Sequence, residues 1–218
     1  MGKKNNIEAK YFYRYTDLAA IIRLLKNQQI TLLDPMKWDD KNDVFFMQKY
    51  KELMKAETLL AICFVQGGET YHHWKLFSDG PHGVSINFEK AGLLSVFKKD
   101  KRIKHGRMQY DLIKDVEESL GELPLETSKL PFLKRYPYRG EKEYRVIYVD
   151  TEKRLRFKSY DIDLSLIKRI RLSPWMPKPL VKSVKETLES IRGCAGLEIV
   201  QSTVTDDRRW RRIAEEVD

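Results

Sequence analysis

The sequence contains few of the residues that cross-link or metallate small proteins: its 218 residues include two cysteines and four histidines. Cys63 lies in an apolar run, residues 59–65, which predicts a buried strand position rather than half of a disulfide. No cysteine or carboxylate stands at a metal-site spacing from the histidines, which are His72, His73, His82 and His105. We therefore expect a reducing compartment and no bound metal.

Long apolar runs and phosphate-binding loops are also missing. No apolar run approaches the roughly 20 residues that a membrane-spanning helix needs, and residues 1–7 lack the apolar stretch of a signal peptide. The pair Gly67-Gly68 is typical of a plain turn and not of a loop that holds a nucleoside triphosphate. We expect a cytoplasmic protein with no membrane partner and no triphosphate hydrolysis.

Positive charge is what the sequence has in excess. It contains 41 Lys and Arg against 32 Asp and Glu, a net charge of +9. Such a surplus attracts polyanions, so we expect nucleic acid, most simply DNA, as the partner. Two runs concentrate the charge, and the second surrounds a tryptophan. The candidate nucleic-acid-binding residues are Lys98, Lys99, Lys101, Arg102, Lys104, Arg107, Arg208, Arg209, Trp210, Arg211 and Arg212. A solvated face is the alternative for the first run.

Hydrophobic spacing predicts helices and strands that do not alternate regularly. Apolar residues recur at helical spacing over residues 18–26, and they alternate as in a strand over residues 143–150. A further strand is expected near residues 155–158, and the acidic residues from Thr205 onward predict the start of a final helix. This mixture favours an α+β fold over a doubly wound sheet: a single domain over residues 1–218, with a mixed or antiparallel sheet packed with helices.

Three segments combine polar and aromatic residues: Tyr13-Arg14-Tyr15, residues 72–83, and Glu141-Lys-Glu143-Tyr-Arg145. Two further elements lie between the first and the second of these segments. They are an acidic loop, residues 38–43, and a strand that ends with Cys-Phe-Val at residue 65. This order resembles the bacterial and phage family catalogued as domain of unknown function 2971, over most of the chain up to about residue 148. The Glu-x-Glu-Tyr-Arg element is the most specific part of the resemblance.

The chain departs from that family at three positions. Lys41 replaces a proline of the loop, Val65 replaces a serine, and Phe77 replaces a tyrosine. A hydroxyl role at either of the last two positions is therefore not expected.

The motif order is also similar to that of the ADP-ribosyltransferase group. This resemblance implies an ADP-ribosyltransferase-like fold and an activity that cleaves an N-glycosidic bond. DNA glycosylases break the same kind of bond between sugar and base, and some act in defence against phages with modified DNA. A fixed carboxylate suits this chemistry because the transition state resembles an oxocarbenium ion. The candidate catalytic residues are Glu143, Glu141, Asp40 and Arg14. The candidate substrate-binding residues are Tyr13, Tyr15, His73, Trp74, Phe77 and Arg145.

Three functional hypotheses follow from the sequence. The leading one is a hydrolase, a DNA glycosylase that excises a modified base in antiviral defence and needs no cofactor. The second is an ADP-ribosyltransferase that uses NAD and modifies nucleic acid or protein. The third is a non-catalytic module that only binds nucleic acid.

Each functional interpretation has a structural alternative. Glu143 and Arg145 share a strand face and can form a plain ion pair. Trp74 and Phe77 have the spacing of core residues, and the two histidines before Trp74 are expected at the surface. The aspartates of the acidic loop are expected to cap the second helix.

Overall fold

A computed structural model describes residues 10–78, 80–122 and 124–217. The helices are α1 (Leu18–Asn27), α2 (Lys41–Leu53), α3 (Tyr71–Phe77), α4 (Lys90–Lys98), α5 (Ile113–Glu122), α6 (Lys178–Glu189) and α7 (Arg208–Glu215). The strands are β1 (Tyr11–Asp17), β2 (Gln29–Leu32), β3 (Thr58–Val65), β4 (Gly83–Glu89), β5 (Ile103–Arg107), β6 (Gln109–Asp111), β7 (Leu133–Arg135), β8 (Glu143–Asp150), β9 (Lys158–Asp161), β10 (Ile167–Leu172) and β11 (Ile199–Gln201). Strands packed with helices that do not alternate regularly confirm the α+β prediction.

The chain divides into two compact units and passes between them four times. The first unit comprises Met1–Gln28, Gly67–Ala91 and Ile162–Asp218, and the second comprises Gln29–Gln66 and Gly92–Asp161. Each unit therefore joins segments that are far apart in the sequence. The single-domain interpretation stays a prediction.

The first unit is built on four strands in the order β11-β10-β4-β1. Strand β4 pairs antiparallel with both β1 and β10, and β11 adds parallel to β10. Helix α1 begins directly after β1 because the Asp17 side chain accepts a hydrogen bond from the Ala20 amide at 2.7 Å. Its apolar face buries Ile21, Leu24 and Leu25, as the helical spacing predicts.

The second unit is built on three antiparallel strands in the order β3-β8-β5. All eight residues of β8 are buried, because β8 is the central strand. The antiparallel pair β2–β9 and the parallel pair β6–β7 complete the unit. A core cluster around Met47, Tyr50 and Ile147 packs α2 against this sheet.

Two local predictions are corrected by the structure. The strand expected near residues 155–158 lies at Lys158–Asp161 instead, because its register is set by pairing with β2. Cys63 lies on β3 as expected but is half-buried rather than buried.

Among the described residues, no helix combines the length and the apolarity needed to cross a membrane.

Candidate functional site

Arg145, at the centre of β8, is the hub of a buried ion cluster in the second unit. Its guanidinium donates to both Glu143 carboxylate oxygens, at 2.8 and 3.1 Å, and to both Asp43 carboxylate oxygens, at 2.8 and 2.7 Å. A fifth hydrogen bond, of 2.9 Å, goes to the Pro131 carbonyl oxygen. The side chain is 0% exposed, and all five N–H donors of an arginine are used. Arg145 therefore has no donor left for a substrate.

Local structure explains why these groups meet. Glu143 and Arg145 are two residues apart on one strand, so their side chains leave the same face. Asp43 lies in the first turn of α2, whose N-terminus is fixed by the Asp40 side chain accepting from the amides of residues 42 and 43. The Trp38 ring covers the guanidinium at 4.7 Å. The predicted capping role of Asp40 is confirmed, and so is the predicted Glu143–Arg145 ion pair.

Lys134, on β7, is the second cation of the cluster. Its ammonium nitrogen lies 2.7 Å from Glu141 Oε2, 3.5 Å from Asp43 Oδ2 and 3.6 Å from Glu143 Oε2. Burial alone would lower the pKa of Lys134, but the surrounding carboxylates raise it above its ordinary value. Three carboxylates thus surround two permanent cations. The cluster carries one net negative charge when all five groups are ionised.

The two glutamates of the Glu-x-Glu element are in opposite electrostatic situations. Burial alone would raise the pKa of Glu143, but the bidentate Arg145 guanidinium outweighs it and lowers the pKa to about 2. For Glu141, burial raises the pKa; Lys134 opposes this shift without cancelling it, and the negative charges of Glu143 and Asp43 add to it. Glu143 is therefore a fixed anion, whereas Glu141 is the carboxyl group that can carry a proton.

Glu141 owes this difference to a turn in the chain. It ends a short 3-10 helix, Tyr136–Glu141, and is followed by Lys142 in the left-handed backbone region, with φ 48°. Glu141 therefore does not extend the face of β8, as it would if the strand began earlier. Its Oε2 accepts from Lys134, and its Oε1 makes no hydrogen bond within the part of the chain that the structure describes.

A small cavity adjoins the cluster between α2, α5 and the β6–β7 pair. Its volume is about 160 Å³, and its walls include Phe46, Ile113, Val116 and Leu133. The residues that bring charge to its lining are Asp40, Asp43, Asp111, Glu117, Lys134 and Arg135. Lys134 and Asp43 therefore belong both to the cavity and to the cluster, whereas Glu141 and Glu143 belong to the cluster alone.

Asp40 lines this cavity with an incompletely bonded carboxylate. Its Oδ1 holds the start of α2, whereas its Oδ2 is buried and has no hydrogen-bond partner among the described residues. A buried polar atom without a partner is costly, so such an atom is typical of a site that receives a ligand or water.

The aromatic candidates lie in the first unit and form a packed group there. Tyr15 packs edge-on against Trp74, with ring centroids 5.2 Å apart, and lies 5.7 Å from the His73 ring. Trp74 is 0% exposed, and its Nε1 donates to Glu69 Oε1 at 2.6 Å. Core packing is therefore the structural role of Trp74, since a base cannot stack on a ring that is already enclosed.

The surface prediction for His73 is wrong: its side chain is 1% exposed. Helix α3 turns His73 inward, where it stacks on Phe77 at 6.1 Å, while His72 on the neighbouring face is exposed as expected. Of the other first-strand candidates, Tyr13 is buried and Arg14 is half-buried on β1.

The candidate residues are thus divided between the two units. Asp40, Glu141, Glu143, Arg145 and the first basic run belong to the second unit. The structure pairs Glu143 with Arg145 and links Glu141 to Glu143 through Lys134. Arg14, the aromatic candidates and the second basic run belong to the first unit.

The first basic run is exposed at most of its positions, but Arg102 is engaged. It pairs with Asp100 at 3.0 Å and with Asp150 at 3.1 Å, so it is not available for a phosphate in this arrangement. Arg102 is exposed as well, and so are the other cations of the run, which are Lys98, Lys99, Lys101, Lys104 and Arg107.

The second basic run lies on α7, none of whose residues is buried. Asp207 caps the helix as the acidic start predicts, and it also pairs with Arg209, while Asp206 pairs with Arg211. Part of the positive charge of this run is therefore neutralised by its own N-terminal residues.

Lys134 and Tyr110 were not found from the sequence, and Asp43 was expected to cap the second helix, whereas its carboxylate pairs with Arg145. Lys134 is separated from Arg145 by irregular chain, and Asp43 is 102 residues away from Arg145 in the sequence. No motif marks Tyr110, whose hydroxyl accepts a hydrogen bond from the Glu143 amide at 2.8 Å.

Within the described ranges, no group of three or more potential ligands has the arrangement of a metal site.

Comparisons with profiles of known families, with curated proteins and with solved structures return no match. The family resemblance therefore rests on the motifs alone and stays a prediction.

Arg145→Met is expected to destabilise the protein by about 3–5 kcal/mol, because it leaves the buried carboxylates of Asp43 and Glu143 without their cation. Equilibrium urea unfolding measures the change. The matched control is Arg156→Met, at an exposed position of the same unit, which should stay within about 0.5 kcal/mol of wild type. Equal stabilities of the two variants would contradict the hub role.

The Glu143 ion pair also predicts a pH dependence of stability. The pKa of Glu143 is about 2 in the fold against 4.5 ordinarily, so its contribution is fully present above pH 4.5 and is lost as the pH falls towards 2. The stability difference between wild type and Glu143→Gln should therefore shrink across this window. A difference that stays constant between pH 6 and pH 2 in urea titrations would show that the pair is not ionised as described.

Proposed function

We propose that this chain cleaves N-glycosidic bonds in nucleic acid, most concretely as a DNA glycosylase that excises a modified base in phage defence. The observation that carries the proposal is the unequal pairing of two neighbouring buried carboxyls. Both oxygens of Glu143 are held by Arg145, whereas Glu141 has one oxygen on Lys134 and one without a partner. Two carboxyls whose environments push their pKa values apart are typical of an acid and an anion that work together.

The chemistry assigns a role to each carboxyl. Hydrolysis breaks the bond between the sugar C1′ and the base nitrogen and forms a bond from C1′ to a water oxygen. Glu141, when protonated, donates its proton to the departing base by way of Lys134, which lines the cavity 2.7 Å from Glu141, and the sugar develops positive charge in the transition state. The proton that the attacking water loses returns to the Glu141 carboxylate by the same route. The cluster is neutral while Glu141 is protonated and gains one negative charge as the proton leaves. It thus stabilises the cation at the moment when the cation forms.

The cavity supports a base as the group that is bound. A cavity of about 150 Å³ with apolar walls holds a benzene ring, so 160 Å³ suits a single six-membered ring flipped out of a strand. The unpaired Asp40 Oδ2 is available to accept from a base amino group or from the attacking water. Ligand pockets for larger molecules occupy about 300–1,000 Å³. NAD does not fit this space, which makes ADP-ribosyl transfer here the weaker hypothesis.

The first basic run supports a polyanionic substrate. Strand β5 carries its last residues and leads after Met108 into β6, which ends at the cavity residue Asp111. Exposed cations on this segment can contact phosphates while a base occupies the cavity, and their binding would weaken as the salt concentration rises.

Glu141→Gln is expected to lower the rate of base release at least about 100-fold, since general acid catalysis contributes about 10²–10⁴-fold. Free base and abasic sites are quantified after incubation with phage DNA that carries modified bases. Glu126→Gln, at an exposed glutamate of the same unit that pairs with Lys129, is the matched control and should retain the wild-type rate.

Two outcomes would contradict this proposal. Wild-type protein that releases no base from any DNA or RNA tested, while still binding it, would favour the non-catalytic module. Release of nicotinamide from NAD that depends on Glu141 would favour the transferase instead. Circular dichroism of Glu141→Gln excludes loss of folding as the reason for an inactive variant.

A further inference from the structure

Helix α7 presents an apolar stripe that nothing in the described chain covers. Trp210, Ile213 and Ala214 fall on one side of the helix, and Val217 continues the same spacing one residue past the C-cap. Trp210 is 75% exposed, Ile213 57% and Val217 76%. An exposed stripe at helical spacing marks an interaction surface rather than a solvated face.

Charged residues flank this stripe in a self-complementary order. Arg209 and Glu216 are seven residues apart, so they lie two turns apart along one flank of the stripe. Arg211 and Glu215 are four residues apart and lie along the other flank. On each flank the positive residue is nearer the N-terminus and the negative residue nearer the C-terminus. Each arginine pairs with an aspartate of its own chain, Arg209 with Asp207 and Arg211 with Asp206, whereas neither glutamate makes an ion pair with any described residue.

We propose that α7 is a self-association element that pairs antiparallel with α7 of a second copy of this chain. A twofold axis near Ile213 places Trp210 opposite Val217 of the partner subunit. The same axis places Arg209 opposite Glu216 of the partner subunit and Arg211 opposite Glu215 of the partner subunit. Such an arrangement is isologous and closed, as expected of a symmetric dimer. It covers the stripe and brings each glutamate beside an arginine of the second copy, which the glutamate shares with that arginine's own aspartate.

The same charges disfavour a parallel arrangement of the two helices. It would place Arg209 beside Arg211 of the partner subunit and Glu216 beside Glu215 of the partner subunit, so like charges would meet on both flanks. The order of charges therefore selects the antiparallel pair, in the way that flanking residues select the orientation of coiled coils.

The length of α7 limits the expected affinity of the dimer. Eight residues span about 12 Å, so the contact is far smaller than the roughly 1,000 Å² of a stable interface. The dimer should therefore be weak and concentration-dependent. This inference is independent of the proposed enzymatic activity, which concerns residues of the other unit.

Sedimentation equilibrium of the full chain over rising micromolar concentrations tests the proposal. The expected result is a monomer–dimer equilibrium that Trp210→Glu abolishes. Leu76→Glu, at an exposed leucine on α3 of the same unit, is the matched control and should leave the equilibrium unchanged.

A charge-reversal set tests the antiparallel geometry. Arg209→Glu should weaken dimerisation roughly tenfold, and the double change Arg209→Glu with Glu216→Arg should restore it. Arg208→Glu, on the side away from the stripe, should have no such effect. Far-ultraviolet circular dichroism shows whether each variant keeps its helices.

Three results would overturn the proposal. One is a monomer at every concentration. Another is stronger association of Arg209→Glu, which would indicate parallel pairing. The last is an unchanged mass distribution of Trp210→Glu together with weaker binding to a single-stranded oligonucleotide, which would assign the helix to nucleic acid.

Discussion

The guanidinium of Arg145 is a full positive charge with no solvent exposure, and the second unit is organised around the need to satisfy it. Desolvating such a charge is costly unless carboxylates and a carbonyl complete its hydrogen bonds. Asp43 and the Pro131 carbonyl do so from elements distant in sequence. Helix α2, the segment before β7 and strand β8 are therefore held in one arrangement by a single side chain.

The same pairing creates the asymmetry on which the functional proposal depends. Because Arg145 takes both oxygens of Glu143, that carboxylate stays ionised and cannot exchange a proton near neutral pH. Glu141 is left with Lys134 alone, in a buried site that already holds two other carboxylates. A structural ion pair and a candidate acid are thus two consequences of one interaction, and not competing explanations of the Glu-x-Glu-Tyr-Arg segment.

Local features were predictable because their causes lie within a few residues. The apolar spacing of α1, the alternation of β8 and the acidic cap of α7 are properties of short segments. The cluster was only half predictable, since periodicity joins Glu143 to Arg145 but carries no information about Lys134 or Asp43. His73 was misplaced for a related reason: a seven-residue helix has too few turns for its buried face to be identified from spacing.

Carboxyl titration by NMR, with glutamate side-chain carbons observed in the wild type and assigned by Glu141→Gln and Glu143→Gln, tests the central claim most directly. Glu143 is expected to titrate near pH 2, and Glu141 is expected to titrate above the ordinary glutamate pKa of 4.5. If both glutamates titrate close to pH 4.5, Arg145 does not separate their pKa values. This result would contradict both the ion cluster as described and the assignment of Glu141 as the acid.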